Sequence, residues 1–204
     1  IYTNEYLETL LPKWNHAIVE PDAFTVLPLQ RDFYARNLKN AKERIVVIIS
    51  DALRYEVGKE LFFRMQDDPK CTAKLEVQLS VLPSYTRLGM AALLSHTDLE
   101  LTDDFKVLID GQPCDNLSER EAILRKYSPD SVCVRFDDIK SLKIADLRSI
   151  FTGKQVVYVY HNQIDARGDK PNTEDEVFVA CEEAILEIID LIHRISTSAN
   201  TYRF

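Results

Sequence analysis

The sequence lacks the features that mark several classes of protein. It has no run of Lys or Arg, and a net charge of -8 leaves no basic stripe for a nucleic-acid backbone. It contains no signal-peptide pattern and no apolar run long enough to span a membrane. We therefore expect a cytoplasmic protein with no membrane segment and no strong signature of direct nucleic-acid binding.

Paired cysteines are also missing. Cys71, Cys114, Cys133 and Cys181 lie far apart along the chain, and none belongs to a CxxC pair. This spacing does not favour a zinc knot or a disulfide framework. We expect these residues to behave as small buried hydrophobic side chains in a reducing compartment.

What is present fits a globular domain. A chain of 204 residues, of which 46% are hydrophobic, can bury a substantial core in one α/β domain. The acidic excess fits a cluster of metal-binding carboxylates and equally fits a solvated surface. The sequence opens on Ile1 without an initiator methionine and ends at Phe204, so we expect a piece of a longer protein.

The first 40 residues differ from the rest and carry no motif. A short helical stripe is broken by Pro12, a linker is punctuated by Pro21 and Pro28, and a second helix is predicted over residues 31–40. We interpret residues 1–40 as a helical appendage and linker. It either packs on a sheet or is the tail of a preceding domain, and residues 41–204 form the main domain.

Two apolar runs predict strands that are buried on both faces of a parallel sheet. They are Ile45 to Ile49 and the QVVYVY stretch from Gln155 to Tyr160. Helical patterns alternate with the predicted strands, and the clearest helix follows a Thr173–Glu176 capping box. This alternation predicts a parallel or mostly parallel sheet with helices on both faces.

Shorter patterns fill in the rest of the chain. Residues 53–65 predict a helix with one buried face, and the alternation from Ala73 to Val81 predicts a half-buried strand. A helix is expected to open at Ser84, and a second capping box is predicted at Ser118 and Glu121. The last residues, 202–204, resemble the start of a further strand.

Two polar residues follow these elements where a ligand could bind. Asp51 stands at the carboxyl end of the first strand, where open α/β sheets bind ligands, and it either holds a metal or phosphate or caps the next helix. Thr86 falls in the first turn of its predicted helix, which favours a phosphate and a threonine alkoxide. A metal at Asp51 would make Thr86 a nucleophile. The alternative is an early-helix polar residue without a partner.

A third polar stretch, HNQIDARGDK, follows the QVVYVY strand directly. Asp165 and Asp169 are four residues apart, so a helical turn would place both carboxylates on one face. Such hard anionic ligands suit a divalent cation, and His161 and Asn162 could serve as ligands or support them. The alternative is a polar loop that ends at Gly168.

These stretches, in this order, resemble the PglZ family of bacterial phage-exclusion (BREX) systems, a branch of the alkaline phosphatase superfamily. The matching segments are ISDALRYE (Ser50 to Glu56), PSYTRLGMAALL (Pro83 to Leu94) and YHNQIDARGDK (Tyr160 to Lys170). The resemblance implies an alkaline-phosphatase-like core, two divalent metal ions and a phosphate-ester substrate. Zinc is the usual metal and manganese the alternative. Other phage-exclusion proteins are the implied partners.

The resemblance also assigns roles to residues. Asp51 would bind one metal, Thr86 would be both nucleophile and ligand, and Asp165 would bind the second metal. Asp169 stands where relatives carry the histidine of a D-x-x-x-H pattern, so a ligand role there departs from the family. Arg87 and Arg167 would contact phosphate oxygens, or they are surface charges.

One departure bears on activity. Relatives place a further Asp-His pair at the end of the strand after the long helix, whereas this sequence stops at Phe204 where that strand begins. We therefore expect a C-terminally truncated core with an incomplete metal site and poor catalysis. Two other interpretations stay open. One is a non-catalytic scaffold with a degenerate phosphatase fold. The other is a phosphoaspartate receiver or a dehalogenase-like phosphatase that uses Asp51. The dehalogenase pattern requires a second aspartate at the position that Leu53 occupies.

Overall fold

A computed structural model describes residues 2–19, 26–170, 172–198 and 202–204 of the chain. The strands are β1 (Arg44–Ser50), β2 (Leu99–Leu101), β3 (Val107–Ile109), β4 (Gln112–Pro113), β5 (Ser131–Arg135), β6 (Val156–His161) and β7 (Tyr202–Arg203). The helices are α1 (Glu8–Ile18), α2 (Phe33–Asn37), α3 (Tyr55–Gln66), α4 (Thr86–Ala92), α5 (Leu117–Tyr127), α6 (Phe136–Ile139), α7 (Ile144–Phe151), α8 (Gln163–Gly168) and α9 (Val177–Ser198).

A parallel sheet forms the centre of the domain. Its strands lie in the order β5-β6-β1-β7, and β2, β3 and β4 form a separate antiparallel sheet. The β1–β6 ladder runs in register from Ile45 opposite Val156 to Ser50 opposite His161. Most residues of both strands are buried. The two apolar runs therefore form the doubly buried central strands that the sequence predicts.

Helices cover both faces of this sheet. Successive side chains of a strand point to opposite faces of the sheet, so Val47 lies on one face and Val46 on the other. The first face packs on Leu88, Ala91, Ile123 and Leu124 of α4 and α5. The second packs on Leu147, Phe151, Leu191 and Ile195 of α7 and α9. The predicted fold class, a parallel sheet with helices on both faces, is confirmed.

The N-terminal helix differs from the prediction in one respect. A π-helical stretch, Tyr2–Leu7, leads into α1, and α1 continues through Pro12 instead of breaking there. A proline removes one main-chain hydrogen bond and disfavours a helix without forbidding it. No side chain of residues 2–18 is buried. The predicted linker at Pro21 lies outside the described residues, and the second predicted helix is the shorter α2.

Two apolar patterns have the predicted period but not the predicted packing. The apolar side chains of α3 are only half-buried, and Leu61, Phe62 and Met65 line a cleft. The predicted strand over residues 73–81 is wrong, because its only described pairing is the bridge between Leu79 and Leu29. Its odd positions are nevertheless more buried than its even ones. Periodicity shows which face is apolar, but a strand also needs a neighbouring strand to bond with.

Several helix starts are also shifted. α4 begins at Thr86, with Tyr85 as its N-cap, and not at Ser84. The capping box of α5 is Asn116 with Glu119, so the predicted Ser118–Glu121 pair is wrong. A short 3-10 turn, Glu174–Glu176, precedes α9. The first residue of a helix is hard to predict, because helix ends fray and often carry a turn of 3-10 helix.

The last strand begins as predicted. β7 pairs in parallel with β1 through Arg44 opposite Tyr202 and Ile45 opposite Arg203. Within the ranges given above, none of the helices combines the length and the apolar character that crossing a membrane requires.

Candidate active site

The parallel register brings the ends of β1 and β6 together. The N–H of Asp51 donates to the carbonyl oxygen of His161 at 2.8 Å, which fixes Asp51 at the carboxyl edge of the sheet. Ala52 then adopts a left-handed conformation with φ of 60° and donates its N–H to Asp51 Oδ1 at 3.0 Å. This conformation costs a residue with a Cβ roughly 1–2 kcal/mol. The chain therefore turns sharply and holds the Asp51 carboxylate against its own backbone.

His161 lies beneath this edge and is almost completely buried. Its Nδ1 is 2.8 Å from Ser50 Oγ, and its Nε2 is 2.9 Å from Glu187 Oε2. The ring of Phe136 meets the imidazole edge-on, with 4.7 Å between ring centroids. Since both ring nitrogens have partners, a ligand role would require one of these bonds to break. The geometry favours a role in holding the strand ends of β1 and β6 and the helix α9 together.

Three of the other predicted residues lie along one cleft. Asp51, Thr86 and Asp165 all line a cleft of about 2090 Å³ beside the sheet edge. Thr86 is the exposed first residue of α4, Asp165 lies on α8, and Asp169 is the exposed C-cap of α8. We call Asp51, Thr86, Asp165 and Asp169 the carboxylate site. Their proposed roles as nucleophile and metal ligands stay predictions.

The electrostatics of the carboxylate site favour a cation. Burial raises the pKa of Asp51, and the charges of Asp165 and Asp169 raise it further, against the opposing effects of the Ala52 N–H and Arg120. Burial and the charge of Asp169 also raise the pKa of Asp165, while a hydrogen bond from Asn162 opposes this shift. Carboxylates that repel one another in this way are the donor set that a divalent cation prefers. The residues present therefore fit a divalent metal ion.

These carboxylates are not tightly clustered. Among the described residues, the group of metal-binding side chains whose ligand atoms all lie within 4.8 Å of one another is Asp68, Cys71 and His193. The carboxylates of Asp51, Asp165 and Asp169 do not all approach one another so closely. They would have to move together, or leave room for other oxygen ligands, when they bind an ion.

The two predicted phosphate-binding arginines have acidic partners. Arg87 Nη1 lies 3.4 Å from Asp115 Oδ1, and both side chains are about half exposed. Arg167 is hydrogen-bonded to Glu183 and lies 3.9 Å from Glu176. Each arginine would have to exchange a carboxylate for a phosphate oxygen in order to bind substrate.

Sequence reasoning missed two residues near this site. Glu187 accepts from His161, and it falls on the apolar stripe of α9, three residues after Ala184 and four before Leu191. An acidic residue on the apolar face of a helix indicates that its side chain has a polar partner in the interior. Arg120 lowers the pKa of Asp51 and stacks over the Tyr160 ring at 5.0 Å from its centroid. No sequence pattern singles out Arg120.

Comparison with known proteins identifies the family. A family model described as "BREX system PglZ alkaline phosphatase-like domain" matches residues 32–204. The chain is 37% identical over 203 residues to the alkaline phosphatase-like protein PglZ of Bacillus cereus (strain H3081.97). It is also 37% identical over 207 residues to the alkaline phosphatase-like protein BrxZ of Escherichia coli O9:H4 (strain HS).

Both alignments cover 96% of this chain but only 24% of each relative, so the chain spans about a quarter of the length of these proteins. The family-model match includes the seven described strands, α9 and the three segments that carry the candidate residues. The chain belongs to the PglZ family of BREX-system alkaline phosphatase-like domains.

Proposed function

We propose that this chain carries part of the active site of a metal-dependent phosphatase or phosphodiesterase that acts in bacterial phage defence. The observation that carries the proposal is the shared cleft of Asp51, Thr86 and Asp165, since these residues are remote in sequence. A hydroxyl and two carboxylates at one edge of a parallel sheet match what phosphoryl transfer needs.

Each residue has a proposed role. Asp51 and Thr86 would share one divalent cation, and Asp165 with Asp169 would bind the second. Zinc is the expected metal and manganese the alternative. When bound, such ions would lower the pKa of the Thr86 hydroxyl and stabilise negative charge on the phosphate oxygens. The pKa values of Asp51 and Asp165, which burial raises most and neighbouring carboxylate charges raise further, support this assignment, because a bound cation would offset both effects.

Thr86 would act as the nucleophile. Its exposed position at the start of α4 leaves the hydroxyl open to the cleft. The Thr86 oxygen would attack phosphorus in line with the leaving alcohol, and water would later hydrolyse the phosphothreonine. His161, Ser50 and Glu187 would position Asp51 from below through the bonds described above. Arg87 and Arg167 would contact phosphate oxygens once they exchange their acidic partners.

The experiment measures turnover of a generic phosphate diester with zinc or manganese. It uses a chain of the relatives' full length, because the aligned relatives are about four times longer than this sequence. We expect Thr86→Ala to lower kcat on the order of a thousandfold or more. Ser84→Ala is the matched control, since Ser84 is an exposed hydroxyl residue on the same cleft. Unchanged turnover in Thr86→Ala would contradict the proposed mechanism.

A second function, a non-catalytic scaffold for other phage-exclusion proteins in the cytoplasm, has its own support. The acidic residues of the carboxylate site do not gather within 4.8 Å, and Arg167 is held by Glu183. Metal content that depends on Asp51 discriminates between the two functions. A full-length protein that purifies without such a metal and gains none by titration at neutral pH, or whose metal content is unchanged in Asp51→Asn, would favour the scaffold.

A further inference from the structure

A second group of metal-binding side chains lies where α3 meets α9. After α3 ends, the N–H of Cys71 donates to the Asp68 carbonyl oxygen at 3.0 Å, and the resulting turn carries the side chains of both residues toward α9. His193 Nε2 on α9 lies 2.7 Å from Asp68 Oδ2. We call Asp68, Cys71 and His193 the thiol site.

The three ligand atoms are already close to the spacing of a metal site. One carboxylate oxygen, one sulfur and one imidazole nitrogen all lie within 4.8 Å of one another. Ligands of a tetrahedral zinc ion are roughly 3.5 Å apart, given metal–ligand distances of about 2.0–2.3 Å. The Asp68 and His193 atoms, which are 2.7 Å apart, need only separate slightly, and the Cys71 sulfur already lies within 4.8 Å of both.

The turn also restrains Asp68 before any ion binds. Asp68 Oδ1 accepts from the N–H of Lys70 at 2.9 Å, so its other oxygen is left to face His193. The side chain of Asp68 is 21% exposed and that of His193 is 51% exposed. The site is thus reachable from solvent, while its carboxylate is fixed.

The chemical character of the donors selects the ion. Thiolate and imidazole ligands favour zinc over magnesium or calcium, which prefer oxygen ligands. The same contacts also fit a surface His–Asp ion pair whose carboxylate accepts a hydrogen bond from the Cys71 thiol, and such a pair stabilises a protein little. Only a metal site would bind an ion through the Cys71 thiolate.

We propose that Asp68, Cys71 and His193 bind one zinc ion, with water as the fourth ligand, at a site separate from the carboxylate site. Binding releases the Cys71 thiol proton and replaces the Asp68–His193 hydrogen bond with two bonds to the metal. The ion fastens the start of the extended segment 71–81 to α9. That segment contributes Ala73, Leu75 and Val81 to the wall of the cleft.

The test uses Co²⁺ as a spectroscopic substitute for zinc. Thiolate ligation gives a charge-transfer absorption band that oxygen and nitrogen ligands do not give, so the carboxylate site cannot produce it. We expect the purified protein to show this band at one equivalent of Co²⁺ and to lose it when zinc is added. Cys71→Ser should abolish the band. Cys181→Ser is the matched control, since Cys181 is also partly exposed and lies on α9.

A second measurement, made on the wild-type protein, keeps the test valid if the Cys71→Ser variant misfolds. Zinc should slow alkylation of Cys71 in the wild-type protein at least tenfold, and this protection should be lost in His193→Asn. Asp51→Asn should retain both the band and the protection, which separates this proposal from failure of the carboxylate site. A folded wild-type protein without the band, or a band that persists in Cys71→Ser, would overturn the proposal.

Discussion

The carboxylate site and the thiol site each contribute residues to one cleft but are built differently. In the carboxylate site, Asp51 and Asp165 follow β1 and β6, and the parallel register of these strands brings their carboxyl ends together. The thiol site joins the turn after α3 to the C-terminal half of α9 through helix packing. Strand ends meet by topology, so a sequence can reveal them. Contacts between distant helices depend on side-chain packing, which a sequence reveals poorly.

The two sites also differ in what surrounds them. The carboxylate site rests on a buried polar network in which His161 joins Ser50 to Glu187. The thiol site lies at the surface, beside an ion-pair network that links α3 to α9. Substitutions in the buried network should therefore destabilise the fold and disturb the carboxylate site. Substitutions in the surface ion pairs should hardly affect the thiol site.

The largest expected effect comes from His161→Ala. Removing the imidazole leaves Glu187 and Ser50 without a buried partner and opens a cavity against Phe136, so we expect a loss of about 2–4 kcal/mol in unfolding free energy. Urea unfolding measures this loss. His96→Ala is the control, because His96 makes a single described hydrogen bond, to the Leu94 carbonyl oxygen. The Co²⁺ thiolate band should persist in the folded fraction of His161→Ala. Equal losses in the two variants would contradict a supporting role for His161.

An intermediate effect is expected from Asp51→Asn. The folded state raises the pKa of Asp51 above its ordinary value of 3.8, so it binds the proton more tightly than the unfolded state does. The contribution of Asp51 to the stability of the metal-free protein should therefore decline as pH rises from that value through the raised pKa. Asp51→Asn should remove this decline and raise Tm at neutral pH by no more than about 2–4 °C. Thermal unfolding from pH 4 to pH 8 in a chelator tests both points.

Asp110→Asn is a control for which the pH dependence of stability should have the opposite sign. Backbone N–H groups of Asp98 and Thr97 donate to Asp110 at 2.8 and 2.9 Å and hold its pKa below the ordinary value. This stabilisation is present at neutral pH and is lost as pH falls through the lowered pKa. The variant should be less stable than wild type at neutral pH, by about 0.5–1 kcal/mol, and should match it in acid. The same pH slope in both variants would refute the assignment of Asp51.

The smallest effect is expected from Arg64→Lys, near the thiol site. Arg64 donates both terminal nitrogens to Glu182 at 2.7 Å and its Nε to Glu60 at 2.8 Å, which ties α3 to α9. Lysine cannot reproduce the paired geometry, so a slight fall in Tm is expected. The difference should vanish in about 1 M salt. The affinity for Co²⁺ should stay within about threefold of wild type, because the metal ligands are unchanged. A large stability loss would show that this surface network matters more than its exposure indicates.

The sequence predicts the centre of this domain better than its margins. The runs at residues 45–49 and 156–160 are apolar on both faces, as a doubly covered strand requires, and α9 carries a long apolar stripe that only Glu187 interrupts with a charge. The segment 73–81 shows the limit. Its alternation indicates the half-buried side chains except Val77, which is exposed, and no strand lies beside most of the segment to complete a ladder.

The residues of the candidate site also differ in how far the sequence predicts them. Asp51, Thr86 and Asp165 follow predicted elements, so their shared cleft could be anticipated from topology. The partners of His161 could not, because they depend on which face of α9 packs beneath β6. The neighbours of Cys71 could not be predicted either. Without a CxxC pair this residue resembles a small hydrophobic side chain; the turn after α3 places it beside Asp68, and the packing of α3 on α9 brings both to His193.

The left-handed backbone at Ala52 has a consequence for engineering this domain. A glycine there would relieve the steric strain, and a search for more thermostable versions would favour that exchange. The same exchange would loosen the turn that presents the neighbouring aspartate, since glycine also populates other conformations. Thermostability and a fixed orientation of the Asp51 carboxylate are thus opposed at a single backbone angle, and selection for one property would weaken the other.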